Sequence, residues 1–175
     1  LLRDVAYETV LLKYRAEFHG RVARWLEDHA GERLGEYLGL IAGHYELAGA
    51  HDRAAEFYQR SGEQALRTNV SRAARAAFEQ ARVLREWGSA PPAAALPHHL
   101  KLGDVCYRLG DLAAAEPALT RALALARAGG DIESQALTLS SLSLVVYALG
   151  RAADAGSLLE EALPLGRQVG SKALG

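Results

Sequence analysis

The stretches LGDVCYRLGDLAAAEPALTRA (residues 102–122) and LSLVVYALGRAADAGSLLEEA (residues 142–162) carry the same marks at the same offsets. Gly110 is followed five, nine and twelve residues later by Ala115, Leu119 and Ala122, and Gly150 in the same way by Ala155, Leu159 and Ala162. Seven residues before each glycine stands a small residue, Gly103 or Ser143, and eight before it a large apolar one, Leu102 or Leu142. Each mark has a physical reading. A glycine suits the left-handed position that ends a helix and opens a tight turn. Small residues let two antiparallel helices approach, and large apolar residues at helical spacing fill the seam between them. Two helices joined by a glycine turn, repeating from Gly110 to Gly150 with a period of 40 residues, are the unit of this chain.

Working outward, the same pattern reaches the front of the chain. Gly49 is followed at those offsets by Ala54, Tyr58 and Ser61 and preceded by Ala42 and Ile41. Asn69 occupies a similar turn position, followed by Ala74, Phe78 and Ala81, but lies only 20 residues after Gly49. That is a half-unit step, with one helix shared by two hairpins. The periodicity predicts helices over 2–12, 14–29, 34–48, 52–67, 71–86, 98–109, 112–128, 132–149 and 152–168, with Asp111 and Asp131 as N-caps. GSAPPAAALP at 88–97 reads as the one linker, since Pro91-Pro92 cannot continue a helix. Pro117 and Pro164 fall inside helices, where each removes a backbone hydrogen bond and is expected to bend its helix. The fold class that follows is all-α, an α-α superhelix of antiparallel helix hairpins.

Composition narrows the function. Apolar residues make up 50% and charged residues 23%, as in an ordinary globular chain. The formal charge of −1 lacks the basic excess from which nucleic-acid binding draws most of its affinity. Cys106 is the only cysteine, so neither an internal disulfide nor a thiolate zinc site is available, and a reducing cytoplasmic setting fits. No signal segment opens the chain and no run of 18 apolar residues could span a membrane. The chain holds no methionine, opens on Leu1-Leu2-Arg3-Asp4 without a cap, and closes on residues 171–175 like the start of another helix. It therefore reads as a piece of a longer array.

The period and the Gly/Ala/aromatic offsets resemble tetratricopeptide repeats of the roughly 40-residue variety. The front third, LLRDVAYETVLLKYRAEFHGRVARWLE, is similar to the segment that follows the nucleotide-binding part of large bacterial signalling ATPases. The matching positions are Arg3, Ala6, Tyr7 and Val10, then Arg15, His19 and Ala23, ending Leu26-Glu27. HYELAGAHDRAAEFYQRSGEQAL (44–66) looks like the first helices of the repeat region in such proteins. The resemblance covers about 1–169. It implies residues 1–30 as the helical tail of a preceding domain of winged-helix type, 31–87 as the first repeat-like helices, 88–97 as linker and 98–175 as two repeats in a continuing array. It also implies a parent carrying class III adenylate/guanylate cyclase, LuxR-type DNA-binding or kinase domains. Cys106 stands where the repeat usually has an aromatic, and Arg127 and Arg167 where the shorter repeat often has proline. No GxxxxGK[ST] loop is present, so ATPase chemistry would lie outside this chain.

No residue is expected to be catalytic, to bind a cofactor or to hold a metal. His98-His99, His44 and His51 have no metal-ligand spacing and read as solvated or helix-end histidines. His19 reads as a packing or interdomain contact. Ser140, Ser141 and Ser143 lack a nucleophile elbow, and Cys106, one or two turns from His98 and His99, reads as a small buried hydrophobe. Arg67, Arg72, Arg75, Arg82 and Arg85 are interleaved with Glu79 and Glu86, which describes a salt-bridged solvated face.

The most informative stretch is 134–150, SQALTLSSLSLVVYALG, without a charge over seventeen positions. A helix apolar all round must be covered on more than one side. In a repeat array the first helix of each pair lines the concave surface. Leu137, Ser140, Leu144 and Tyr147 would then face a groove, with Asp104, Tyr107 and Arg108 lining it one repeat earlier. The cover is either a further repeat, or a partner segment or second copy. The expectation is a non-catalytic protein-interaction and regulatory module of a bacterial signalling protein, binding a protein or peptide segment. A peptide-sensing receptor array and a free-standing adaptor remain open, as do, more remotely, an RNA-reading repeat and an enzyme using Cys106. Ala115→Arg is expected to unfold its repeat, because a close helix contact cannot take a long buried charge; an unchanged thermal melt would remove this register.

Overall fold

In the computed structural model, residues 11–172 are described, and every regular element among them is helical. The helix expected over 2–12, with Arg3, Ala6, Tyr7 and Val10, lies outside the described residues apart from its end. The chain divides into two compact units, Leu1–Ala90 and Pro91–Gly175.

In the first unit, α1 (Leu12–His29) leads through a 3-10 turn (Gly31–Arg33) into α2 (Leu34–Leu47), α3 (His51–Arg67) and α4 (Ser71–Trp87). Each helix packs on the next in sequence. Leu38, Ile41, Ala42 and Tyr45 of α2 meet Ala54, Ala55 and Phe57 of α3 in one core, joined by Ala23 of α1 and Leu84 of α4. The second unit begins with a 3-10 turn (Pro92–Ala95) and continues as α5 (Leu96–Arg108), α6 (Leu112–Gly129), α7 (Ile132–Ala148) and α8 (Ala152–Lys172), again each on its neighbour. The stretch read as linker to residue 97 thus ends earlier. Pro92 starts a helical turn, and Leu96 and Pro97 open α5, where a proline loses no hydrogen bond. α6 and α8 run without interruption through Pro117 and Pro164, and α8 extends beyond its expected end to Lys172.

The turns explain the regularity. Gly49, Asn69, Gly110, Gly130 and Gly150 all take positive φ between 60° and 82°. At each, the next residue's N–H reaches back to the carbonyl five residues before it. The pairs are Ala50 to Tyr45, Val70 to Ala65, Asp111 to Cys106, Asp131 to Ala126 and Arg151 to Val146, at 2.7–3.1 Å. This is the Schellman closure, which satisfies carbonyls that a helix end leaves orphaned. The residue that completes it is also the N-cap of the next helix. At Asp111 and Asp131 the side chain caps as expected, accepting from the N–H of Ala114 at 3.1 Å and of Ser134 at 3.0 Å. The Ser134 hydroxyl and its N–H hold the Asp131 carboxyl below the ordinary range, so this cap strengthens above the unfolded pKa and fades as pH falls through the lower folded value.

At two of these turns a glycine seven residues before receives the large side chain nine residues after. A Cβ on Gly103 would lie 2.5 Å from Leu119 Cγ, and one on Gly62 would lie 2.6 Å from the Phe78 ring. Gly62 and Phe78 stand at those same offsets from Asn69, which places the half-unit step in the same packing scheme. Gly156 of α8, by contrast, faces open space. Gly103→Ala is therefore expected to cost about 1–3 kcal/mol through overpacking, despite alanine's better helix propensity. Gly156→Ala is expected to gain about 0.5–1 kcal/mol. Urea denaturation of the two variants checks both signs.

Candidate functional site

The sequence nominated residues on α5 and α7, which are the first helices of the two hairpins of the second unit and touch one another. On α7, Leu137, Ser140, Leu144 and Tyr147 are all exposed, whereas Thr138, Leu139, Leu142, Ser143, Val145 and Val146 between them are buried. The helix is apolar on both sides, but only one side is covered. Tyr147 is the most exposed of the row at 67%. The Ser140 hydroxyl is turned back onto its own helix, donating to the Ala136 carbonyl at 2.9 Å. On α5, Asp104 and Arg108 are exposed and form a long i,i+4 ion pair at 3.8 Å, with Tyr107 beside them. In the 40-residue register Tyr107 corresponds to Tyr147 and Asp104 to Leu144. The two helices thus present an equivalent aromatic each, and a charge on one where the other has leucine.

A second feature was not foreseen. Leu137 and Ser140 also border a groove of about 580 Å³ between α7 and α8, whose other wall carries Leu159, Ala162, Leu163 and Arg167. Leu159 was read from its offset as seam filling, yet it is half exposed here. A third feature lies on α1, where Tyr14, Phe18, Val22 and Trp25 are exposed large apolar residues in one row that the N-cap Leu11 extends, with His29 stacked on Trp25 at 4.7 Å. Their spacing of three and four is visible in the sequence.

The first unit holds a polar cluster that no motif announced. Glu27 of α1 accepts from the Tyr45 hydroxyl of α2 at 2.6 Å and pairs with Arg53 of α3, which also holds Glu56 at 2.7 Å and lies over the Tyr45 and Phe57 rings. Partial burial works against the Glu27 carboxylate, but the hydrogen bonds from Arg53 and Tyr45 outweigh it and hold its pKa below the ordinary value. The cluster ties three helices together and leaves no group poised for proton transfer to a substrate. On α4, Arg82 bonds Glu79 and Glu86 at 2.6 and 2.7 Å and Arg85 bonds Asp52 at 3.1 Å, so these arginines are engaged with carboxylates.

The histidines depart from expectation. His98 and His99 stand at a helix start, as expected, but are buried rather than solvated. His44 is half-buried, its Nδ1 2.8 Å from Nδ1 of His19 on α1. Cys106 is fully buried. Among the described residues no group of three or more His, Cys, Asp or Glu is placed to hold a metal ion, and no helix is long and apolar enough to cross a membrane.

Comparison with known proteins agrees with this architecture. Residues 92–168 match the tetratricopeptide repeat family model. No curated protein matches the chain significantly in sequence. Among solved structures, the chain is similar to BtubC (BKLC) from P. vanneervenii, with a TM-score of 0.58 and 20% identity over 78% of this chain and 65% of that one. Aspartyl phosphate phosphatase F from Bacillus subtilis gives 0.64 and 14% over 89% and 41%. A Podosopora anserina protein with nearly identical kinesin-light-chain repeats gives 0.66 and 15% over 91% and 78%. The chain thus spans less than two thirds of the length of the first two. At these identities the likeness is one of fold.

Two imidazole nitrogens 2.8 Å apart need one donor and one acceptor, which two imidazolium rings cannot supply. Burial first, and the His19 charge second, push the His44 pKa down. The unfolded chain therefore binds the proton more readily, and stability is full above the unfolded value of about 6.5 and declines as pH falls through it. Thermal melts are expected to drop as pH falls below the unfolded value of about 6.5, and His44→Gln to flatten that dependence.

Proposed function

We propose that this repeat region is a non-catalytic interaction scaffold that docks a helical or extended protein segment on the exposed row of α5 and α7. The observation that carries this reading is the one-sided cover of α7. Leu137, Leu144 and Tyr147 face solvent on a helix that has no charge from residue 134 to 150. Apolar and aromatic groups held on rigid helices are the anchors on which binding energy concentrates. Asp104, Tyr107 and Arg108 would add polar selectivity beside them. Repeat domains of this type generally bind proteins or peptides, and neither the buried Cys106 nor the histidines offer a nucleophile with a base at an open surface.

In the wider context we read the region as the regulatory part of a cytoplasmic bacterial signalling ATPase with a cyclase or transcription-regulator output. The support is the Arg15, His19, Ala23, Leu26-Glu27 pattern of α1, and in the structure Ala23 and Glu27 bind α1 to the first repeat-like helices. Segment binding would then bias the attached domains between two states by differential affinity. That reading requires a nucleotide-binding loop in the same open reading frame upstream.

A displayed library of helical and extended peptides selected against residues 1–175 tests the docking surface. Selected peptides are expected to lose about tenfold or more in affinity, about 1.4 kcal/mol, on Tyr147→Ala or Leu144→Asp, at unchanged melting temperature. Peptides that bind both variants as well as the parent chain would sink the assignment.

A further inference from the structure

The seam that holds α1 in the first unit is unlike the others. α2, α3 and α4 each carry a fully buried large side chain, Ile41, Phe57 and Phe78 respectively. Among the described residues of α1 only Gly20 and Ala23 are buried, with Leu26 half-buried against the core. The large apolar residues Tyr14, Phe18, Val22 and Trp25 stand on the exposed side of the helix instead. The seam has this character whatever lies against that outer row. Gly20 and Ala23 let the helices approach but remove little apolar area from water, and a segment with few buried apolar contacts opens at low cost.

Polar contacts cross the seam at two clasps. At the first, His19 Nδ1 lies 2.8 Å from Nδ1 of His44 on α2. At the second, Glu27 accepts from the Tyr45 hydroxyl of α2 at 2.6 Å and pairs with Arg53 of α3. The other half-buried charged residue of α1 is Arg15. From α2 the remaining charged group beside the clasps is Glu46, which accepts from the Tyr58 hydroxyl of α3 at 2.8 Å. From α3, Glu56 holds Arg53, and the Arg60 charge also favours the Glu27 anion. We propose that α1 is a detachable helix, released by acid as one unit while α2, α3 and α4 stay folded. One proton on the histidine pair beyond the neutral state leaves a donor facing an acceptor, whereas two imidazolium rings offer only donors and repel. Burial first, and the His19 charge second, resist protonation of His44 while α1 is docked. Detachment frees both rings to take up protons near the ordinary value of about 6.5. Docking is therefore full above that value and declines as pH falls through it. Burial acts to raise the Glu27 pKa, but the hydrogen bonds from Arg53 and Tyr45 outweigh it and hold it below the ordinary value. The second clasp is thus lost only at lower pH, as that carboxylate protonates.

Amide hydrogen exchange of the 1–175 chain tests this, read segment by segment at about pH 7.5 and pH 5 and corrected for the intrinsic pH dependence of exchange. Protection of α1 is expected to fall about tenfold between the two conditions, while that of α2, α3 and α4 changes less than about twofold. His44→Gln and His19→Gln each remove one titrating ring, and the fall should shrink in both variants. Glu27→Gln should lower α1 protection at both pH values and leave the fall in place. Three results would each overturn the detachable helix: protection lost in α1 and α2–α4 together, no fall at α1, or a fall of the same size in both histidine variants. Protection of α1 unmoved by Glu27→Gln would overturn the second clasp.

Discussion

Two helices can lie closer than their side chains ordinarily allow only where one contributes almost nothing to the seam. At the Gly110 and Asn69 turns that place is seven residues before the turn, and the partner that fills it comes nine residues after. Leu119 sits over Gly103 and Phe78 over Gly62, each ring or branch in the space where a Cβ would be. The contact fixes the rotation of both helices about their axes at once. Burial of Leu119 and Phe78 contributes on the order of 1.5–3 kcal/mol each. The larger consequence is geometric, since the exposed row at Leu137, Leu144 and Tyr147 exists because Ser143 and Val146 are turned inward.

Helix order and turn positions were legible because they rest on local rules. A glycine or asparagine in the left-handed region, an N-cap aspartate and a 3.6-residue apolar period are each written in neighbouring residues. Asn69 was readable for this reason, whereas the role of Gly62 rests on its contact with Phe78 of the next helix, which no neighbouring residue encodes. The misreadings have a different cause. His98 and His99 are polar residues at a helix start, and nothing local distinguishes a start turned inward from one turned outward. Leu159 and Leu119 stand at the same offset from their turns, yet one is half exposed and the other buried, which the offset alone does not tell. The Glu27–Tyr45–Arg53 cluster joins three helices, and no spacing within any one of them could announce it.

Function was legible to a lesser depth than fold, because a repeat scaffold needs no diagnostic residues. A catalytic site constrains residue types at fixed geometry, whereas a docking face constrains shape and a few anchors. The uncharged run of α7 drew attention because charge is the usual means of keeping an outer helix face in water.

The turns have a consequence for how such a chain can change length. The residue that closes one helix also starts the next, so the connections contain no slack. A single residue inserted into any helix would rotate everything beyond it by about 100° and carry the small seam position away from its partner. Left-handed residues stand 20 apart from Gly49 to Asn69, and again from Gly110 through Gly130 to Gly150. Insertions and deletions can therefore be absorbed only in whole helical modules. Two connections differ, the 3-10 turn Gly31–Arg33 and the segment from Gly88 to Pro91, where extended backbone replaces the left-handed turn. Evolutionary variation in length should concentrate there.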